Sequence, residues 1–180
     1  MGEEDFHSLQ GLFLMSAAHL RDRSFFRTVV LMLEHTPETA MGLVINQPSA
    51  MTIRKALSAA GVVNAGDAPL FVGGPVEPDS LFILHNCTAL AATDREVAPG
   101  IFLAGSEHSF DAVVNPEVPG ETPRFRLLSG YAGWSGGQLE GELARGDWHI
   151  LPADPALVLE DDPYGIWKSA SAAFKDSIES

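Results

Sequence analysis

The chain has 180 residues, of which 46 % are apolar, and its 11 basic and 24 acidic residues give a formal net charge of −13. This length and apolar content predict one domain over residues 1–180 and exclude a disordered chain. The negative charge disfavours direct binding of nucleic acid or of anionic lipid unless the few cations share one face.

A single cysteine, Cys87, excludes an internal disulfide and a zinc site built from cysteines. The acidic start of the chain lacks the basic and apolar regions of a signal peptide. Residues 1–10 are predicted to form a flexible N-terminus. Its apolar runs are far shorter than the ~20 residues that a membrane-spanning helix needs. We therefore expect a cytoplasmic protein that does not contact a membrane.

The first quarter of the chain predicts strands. Residues 12–17 form the first, and residues 26–34 are so continuously apolar that we expect a central strand covered on both faces, with its side chains at 29–33 buried. A turn at 36–39 leads into a returning strand at 41–46, which together predict a hairpin.

The middle of the chain mixes short helices and strands. Thr52 is suited to cap a helix whose apolar stripe is Ile53, Ala56, Leu57 and Ala60, ending at Gly61. Short strands are predicted at 70–72, 81–85 and 101–104, and Ser106 is suited to cap a helix that buries Phe110, Val113 and Val114.

The last third begins with a predicted strand at 124–131 that enters a glycine-rich turn. Ser135 and Gln138 match the capping-box pattern, so Ser135 is predicted to cap a helix through Leu143 that ends at Gly146. A strand at 148–151 follows, and Asp154 and Asp162 each precede a proline suited to a first helical position. The final predicted helix runs from 163 to 178, with Ile166, Ala170, Ala173, Phe174 and Ser177 on one stripe.

One motif carries a possible enzymatic chemistry. Gly133-Trp134-Ser135-Gly136-Gly137 matches the G-x-S-x-G pattern of a serine nucleophile on a sharp turn. The hydrolase order also requires an acid and a well-separated histidine after the serine, whereas only His149 follows, with Asp147 two residues before it. The structural alternative is that Ser135 caps the following helix.

Other chemistries are weakly supported. Gly73-Gly74-Pro75 is not a phosphate-binding pattern, since Pro75 lacks the N–H that a phosphate cradle would use. His85 and Cys87 are metal-type ligands without a third neighbour, and a half-buried histidine is the alternative. Tyr131 and Trp134 lie beside glycines. Their side chains either form an exposed aromatic platform or pack under the turn.

Several of these segments together resemble the YqgE/AlgH family of small bacterial proteins, over residues 11–148 and on towards Trp167. The segments are Phe26-Arg27-Thr28-Val29-Val30, Glu34-His35, Met41-Gly42-Leu43-Val44-Ile45-Asn46 with Pro48, Gly73-Gly74-Pro75-Val76, Leu84-His85, Gly130-Tyr131-Ala132-Gly133-Trp134, Gln138-Leu139-Glu140, Glu142-Leu143 and Trp148. The chain departs from the family pattern at Thr39-Ala40, where a glycine-containing turn is usual.

The resemblance implies a single α+β domain whose mixed sheet is bifurcated, with one part curled into a small barrel and helices around it. It implies no agreed enzymatic activity and no cofactor. Some members are labelled transcriptional regulators because of an effect on polysaccharide production, which identifies no DNA-binding element. Within the matching segments, the candidates for contact with a ligand or partner are His35, Asn46, Gly73, Gly74, His85, Tyr131, Trp134 and Gln138.

We therefore expect a regulatory or interaction protein without catalytic residues, metal or cofactor, which contacts another protein or a small molecule. Any effect on transcription is expected to be indirect, since no basic recognition helix is present. Two alternatives remain open at this point: a serine hydrolase using Ser135, and a protein that binds a small molecule.

Overall fold

The computed structural model describes residues 6–20, 25–58, 67–114, 123–160 and 162–179. These residues contain ten strands and five α-helices. The strands are β1 Leu12–Ser16, β2 Val29–His35, β3 Thr39–Val44, β4 Pro48–Thr52, β5 Pro69–Val72, β6 Val76–His85, β7 Arg95–Ala98, β8 Ile101–Leu103, β9 Phe125–Ser135 and β10 Trp148–Pro152. The helices are α1 Ile53–Leu57, α2 Glu107–Val114, α3 Gln138–Ala144, α4 Pro155–Val158 and α5 Pro163–Glu179.

The strands form one curled sheet in the order β10-β1-β2-β3-β9-β6-β8-β7, to which β5 and its partner β4 attach at β9. The β5–β9 pair is parallel and the other pairs are antiparallel. The predicted single α+β domain with a mixed sheet is thus confirmed.

The sheet forks along β9. Its final residues pair with β3, through Ala132 opposite Gly42, whereas Leu128 further back lies opposite Phe71 of β5. Strand β6 follows the other edge of β9. One long strand therefore belongs to both arms of the sheet, which is the predicted bifurcation.

Strand β2 lies inside the sheet, between β1 and β3, and its residues from Val29 to Leu33 are at most 2 % exposed. Successive side chains of a strand point to opposite faces, so an apolar run of this kind is stable only when both faces are covered. The prediction of a central, buried strand is confirmed. The strand begins at Val29 rather than at Phe26, because Arg27 has a φ of 52° and Phe26 is exposed.

Three apolar clusters bury the sheet. Helices α4 and α5 cover the face that carries Leu31 and Leu43, with Ile166 and Ala170 of α5 buried against it. Helix α3 covers the opposite face through Leu139, beside Val30 and Trp134. The third cluster joins α1 and α2 to β5, β6 and β9.

Most predicted helix starts are confirmed. The capping side chains accept from backbone N–H groups: Thr52 from Lys55, Ser106 from Ser109, Asp154 from Ala156 and Asp162 from Tyr164. The predicted end of the first helix, at Ala60 and Gly61, lies outside the described residues. On α5, Ala173 and Ser177 are exposed, so its buried stripe is shorter than predicted.

The predicted glycine-rich turn after residue 131 is wrong. Strand β9 continues through Gly133 and Trp134 to Ser135, and the chain turns at Gly136 and Gly137 instead. Strands β4 and β7 were also not predicted. Both are short, β4 has no buried residue and only Val97 and Ala98 of β7 are buried, so they lack the apolar run that marks the inner strands.

Candidate functional site

A β-bulge sets the direction of the His35 side chain. The register between β2 and β3 shifts between Met32 and Glu34, so that Leu33 is the extra residue. An inserted residue turns every later side chain of the strand to the other face. His35 therefore lies opposite Ala40 on the face covered by α3, and the Leu33 carbonyl oxygen accepts a hydrogen bond from the Arg95 guanidinium.

Both ring nitrogens of His35 are occupied. The Leu9 backbone N–H donates to Nδ1 at 3.0 Å, which assigns the ring proton to Nε2. Nε2 lies 2.7 Å from Oε1 of Glu140, a residue of α3 that is 105 positions away in the sequence. His35 is thus a neutral imidazole that donates to a carboxylate, with its own side chain only 3 % exposed.

The Glu140 carboxyl stays ionised at this position. Burial raises its pKa, but the hydrogen bond from His35 and a backbone hydrogen bond outweigh burial, so the pKa is lowered from its usual value of 4.5. Its side chain remains 44 % exposed. The pair therefore presents a fixed negative charge to solvent.

An open groove of about 390 Å³ lies against this pair, and we call it the His35–Glu140 groove. Its other walls are mostly apolar, and the Phe6 and His35 rings meet in a T-shaped contact with their centroids 4.8 Å apart. The lining residues are Phe6, His7, Leu9, His35, Pro37, Glu140 and Leu143.

Trp134 and Gln138 lie near this region without lining the groove. Trp134 shares a row with Ala40 and His35 across three strands and is only 4 % exposed, packed against Phe25 and Trp148. Trp134 is therefore a core side chain and not an exposed platform. Gln138 is exposed, and its Oε1 accepts the Ser135 backbone N–H at 3.1 Å.

The predicted cap at Ser135 is wrong. Gly137, with a left-handed φ of 81°, precedes the first turn of α3, and the Ser135 hydroxyl donates to Gln138 Oε1 at 3.3 Å. Half of the capping box is present, since Gln138 reaches back to the Ser135 N–H. The ring of His149, the histidine required by the hydrolase alternative, stacks on Phe174 of α5 with the centroids 4.1 Å apart.

Gly73, Gly74 and Tyr131 lie together at the fork of the sheet. A Cβ on Gly73 would come within 2.4 Å of the Gly130 carbonyl oxygen, and one on Gly74 within 2.1 Å of the Tyr131 carbonyl carbon. Tyr131 is half-buried and meets the Phe82 ring edge-on. These glycines allow the backbones of the two arms to approach closely.

Asn46 and His85 each serve a separate internal network. Asn46 accepts from the Val29 N–H and donates to the Arg27 carbonyl, bracing the start of β2. His85 is fully buried rather than half-buried: its Nδ1 accepts from the Cys87 N–H and its Nε2 lies 2.7 Å from Asp94 Oδ2. Ser109 of α2 donates to the other oxygen of Asp94 at 2.6 Å.

The structure therefore distributes the predicted site residues over four places and brings His35 alone into a groove with an ionised partner. Glu140 and Asp94 were missed because sequence reasoning cannot align residues of separate elements. The two carboxylates share one feature: each pairs with a histidine that is the last residue of a strand, His35 of β2 or His85 of β6. Among the described residues no group of three or more His, Cys, Asp or Glu side chains could hold a metal ion.

A second groove of about 520 Å³ lies between β4 and β6, where Met51 and Leu81 are exposed. Asp79 is its one charged lining residue, and Ser49 and Ser129 supply hydroxyls. No buried polar side chain among the described residues is held towards it.

The forked, curled sheet with helices on its faces defines a small single-domain α+β protein with a groove beside a His–Glu pair. A family model described as AlgH-like matches residues 13–179, and the chain belongs to that family. Its predicted membership is thereby confirmed.

Known relatives agree with this assignment. The chain is 38 % identical over 157 residues to a UPF0301 protein of Myxococcus xanthus, covering 86 % of this chain and 84 % of the relative. It is 36 % identical over 173 residues to one of a Shewanella species, covering 92 % and 91 %. The solution structure of the AlgH protein from Pseudomonas aeruginosa is similar, with a TM-score of 0.73, 32 % identity, and coverage of 97 % of this chain and 92 % of that chain.

In the described part of the chain, every helix is too short or too polar to cross a membrane.

Proposed function

We propose that this protein is a non-enzymatic interaction protein of the cytoplasm, which binds a partner or small molecule at the His35–Glu140 groove. The observation that carries the proposal is a buried, neutral imidazole holding an ionised carboxylate at the edge of an open, largely apolar groove. A site of mostly apolar walls with one oriented charged group is typical of ligand recognition.

The engagement of His35 supports binding rather than catalysis. A general base needs a ring nitrogen free to take a proton, and Nδ1 of His35 already accepts from the Leu9 N–H. Ser135, the nucleophile of the hydrolase alternative, donates its hydroxyl to Gln138, and His149 packs on α5. Neither arrangement resembles a nucleophile activated by a neighbouring base.

We also propose that any effect on transcription is indirect. The net charge is −13, and two of the cations in the first third have local partners: Arg54 pairs with Asp67 and Arg27 lies over the Phe26 ring. Titration of the protein with random-sequence duplex DNA at about 50 mM salt is expected to show no sub-micromolar affinity. Tight binding that weakens steeply with added salt would overturn this part of the proposal.

The groove itself is tested by site-specific photocrosslinking in cells of the source organism. A benzophenone amino acid replaces His7, which is exposed at the rim, and in a matched control it replaces Lys175, which is exposed on α5. We expect a discrete adduct, with the mass of this protein plus one partner, from position 7 only. The same adduct from both positions contradicts the groove as the binding site, and no adduct from position 7 contradicts a protein partner at the groove.

A further inference from the structure

We propose that the His35–Glu140 groove receives a lysine or arginine side chain of a partner protein. This inference rests on the proposed function and specifies the class of its ligand. Four features of the groove carry it: a fixed negative charge, apolar walls, a lining without lysine or arginine, and a rim of exposed side chains.

The charge comes from Glu140. His35 holds Oε1 of the carboxylate at 2.7 Å and thereby fixes its position, while 44 % of the side chain stays exposed. The lowered pKa of Glu140 keeps the carboxyl ionised at neutral pH. A preoriented carboxylate loses little side-chain entropy when it pairs with an ammonium or guanidinium group.

The walls suit the stem of a basic side chain. Phe6, Leu9, Pro37 and Leu143 supply apolar surface beside the carboxylate. Lysine and arginine bury their methylene groups on such a surface while the charged end reaches an acidic partner. The Phe6 ring adds a π face that attracts a cation.

The electrostatic surroundings favour a cation over an anion. None of the described residues that line the groove is a lysine or arginine, and the neighbouring Glu38 is exposed. The net charge of −13 also favours encounter with a basic partner.

The rim favours a protein over a free amine. Phe6 is 41 % exposed, and His7 beside it is exposed as well. A free diamine would pair with the Glu140 carboxylate and leave the Phe6 ring exposed to water. A partner protein would cover the ring as well as the carboxylate. Aromatic residues next to a charged anchor are typical of such interfaces.

The test is a titration followed by amide NMR spectra, with the Leu9 amide as reporter because it donates to His35. The probes are the acetylated, amidated peptide Phe-Lys-Phe, the same peptide with norleucine in place of lysine, and 1,5-diaminopentane. We expect the lysine peptide to shift the Leu9 amide and to bind at least about tenfold more tightly than the other two probes, which corresponds to about 1.4 kcal/mol.

Two charge-neutralising variants complete the experiment. Glu140→Gln is expected to remove the tenfold preference for lysine, and the matched control Glu34→Gln to leave it intact. Glu34 is exposed on the same strand as His35, lies opposite Met41, and faces away from α3. Unchanged spectra away from the groove show that each variant is folded.

Each outcome decides the inference. Equal binding of the lysine and norleucine peptides at Leu9 overturns the cationic class but leaves the groove as a ligand site. If diaminopentane binds as tightly as the lysine peptide, the ligand is a free amine and the proposal of a partner protein is overturned. No shift with the lysine peptide, or a preference that survives Glu140→Gln, overturns the inference, while the photocrosslinking result still judges the proposed function separately.

Discussion

Nε2 of His85 lies 2.7 Å from Oδ2 of Asp94, and the two side chains are 0 % and 1 % exposed. The carboxylate also accepts from the Ser109 hydroxyl and the Gly105 N–H, so it ties β6, the segment before β7, and α2 together. This network has the same form as the His35–Glu140 pair, since each histidine accepts a backbone N–H at Nδ1 and faces a carboxylate at Nε2. The difference is that Glu140 reaches a groove and Asp94 is enclosed.

Replacing Asp94 with alanine is expected to lower the free energy of unfolding by about 3 kcal/mol, because the buried donors His85 and Ser109 and the part-buried Gly105 N–H lose their acceptor. The matched control, Asp111→Ala on the exposed side of α2, is expected to change it by less than about 0.5 kcal/mol. Urea denaturation at pH 7 measures both. A loss below about 1 kcal/mol for Asp94→Ala would show that the network contributes little to stability.

The same carboxylate predicts a pH dependence. Burial raises the pKa of Asp94, but the hydrogen bonds from Ser109, His85 and Gly105 outweigh it, so the folded pKa lies below 3.8. The unfolded chain then binds the proton more readily, so the stabilisation is complete above pH 3.8 and is lost as the pH falls through the folded pKa. In Asp94→Asn the free energy of unfolding is expected to fall less steeply as the pH is lowered below 3.8. A fall as steep as that of the unaltered protein would contradict this.

Glycine at position 130 is required by the fork of the sheet. Gly130 has a φ of 70°, and a Cβ there would lie 2.4 Å from the Gly74 carbonyl oxygen. Gly130→Ala is expected to cost about 3 kcal/mol from backbone strain and overlap together. The control Gly141→Ala adds its methyl to open space within α3 and is expected to stabilise the protein by about 0.5–1 kcal/mol. Thermal denaturation measures the stability of both variants. Equal stability changes for Gly130→Ala and Gly141→Ala would refute the requirement for glycine at position 130.

The two serines predicted as helix caps are expected to respond differently to alanine. Ser106→Ala removes the acceptor for the Ser109 N–H and is expected to cost about 1 kcal/mol. Ser135→Ala leaves the bond between the Ser135 N–H and Gln138 intact, so a cost below about 0.5 kcal/mol is expected. Chemical denaturation compares the pair. A larger cost at Ser135 than at Ser106 would restore Ser135 as the more important cap.

Ionisation of Glu142 is expected to destabilise the fold. Burial raises its pKa above 4.5 despite the nearby Trp134 indole and Arg145, and its buried Oε2 has no hydrogen-bond partner among the described residues. A raised folded pKa makes the folded state bind the proton more tightly, so stability falls as the pH rises from 4.5 through the folded pKa. Glu142→Gln is therefore expected to raise Tm at pH 7 but not at pH 4. The exposed control Glu96→Gln is expected to show no such difference, and a Tm gain equal at both pH values would argue against the assignment.

Sequence reasoning succeeded where a property is local. The apolar run of β2 requires cover on both faces, and Thr52, Ser106, Asp154 and Asp162 each cap a helix through a neighbour two or three residues away. It wrongly predicted a turn within Gly130 to Trp134, where β9 continues, because glycine is used for two different purposes. A turn and the close approach of two strands both need a missing side chain, and only the tertiary structure tells them apart.

The site depends on non-local relations. Strict alternation after Leu33 would place His35 on the face of α5, and the bulge that redirects it has no marker in the residues themselves. Its partner Glu140 lies 105 residues away. A strand pattern and a helix pattern can each be read correctly and still not reveal that one residue from each forms a hydrogen bond.

The position of β9 in both arms of the sheet also governs the order in which the chain can fold. Strands β3, β5 and β6 leave the ribosome before their common neighbour exists, so a nascent chain that ends before Phe125 carries three unsatisfied strand edges. Their pairing must wait until β9 has been synthesised, so we expect the two arms of the sheet to join late in folding. We expect these open edges to make the unfinished chain more prone to aggregate than a sheet of equal size built from successive hairpins.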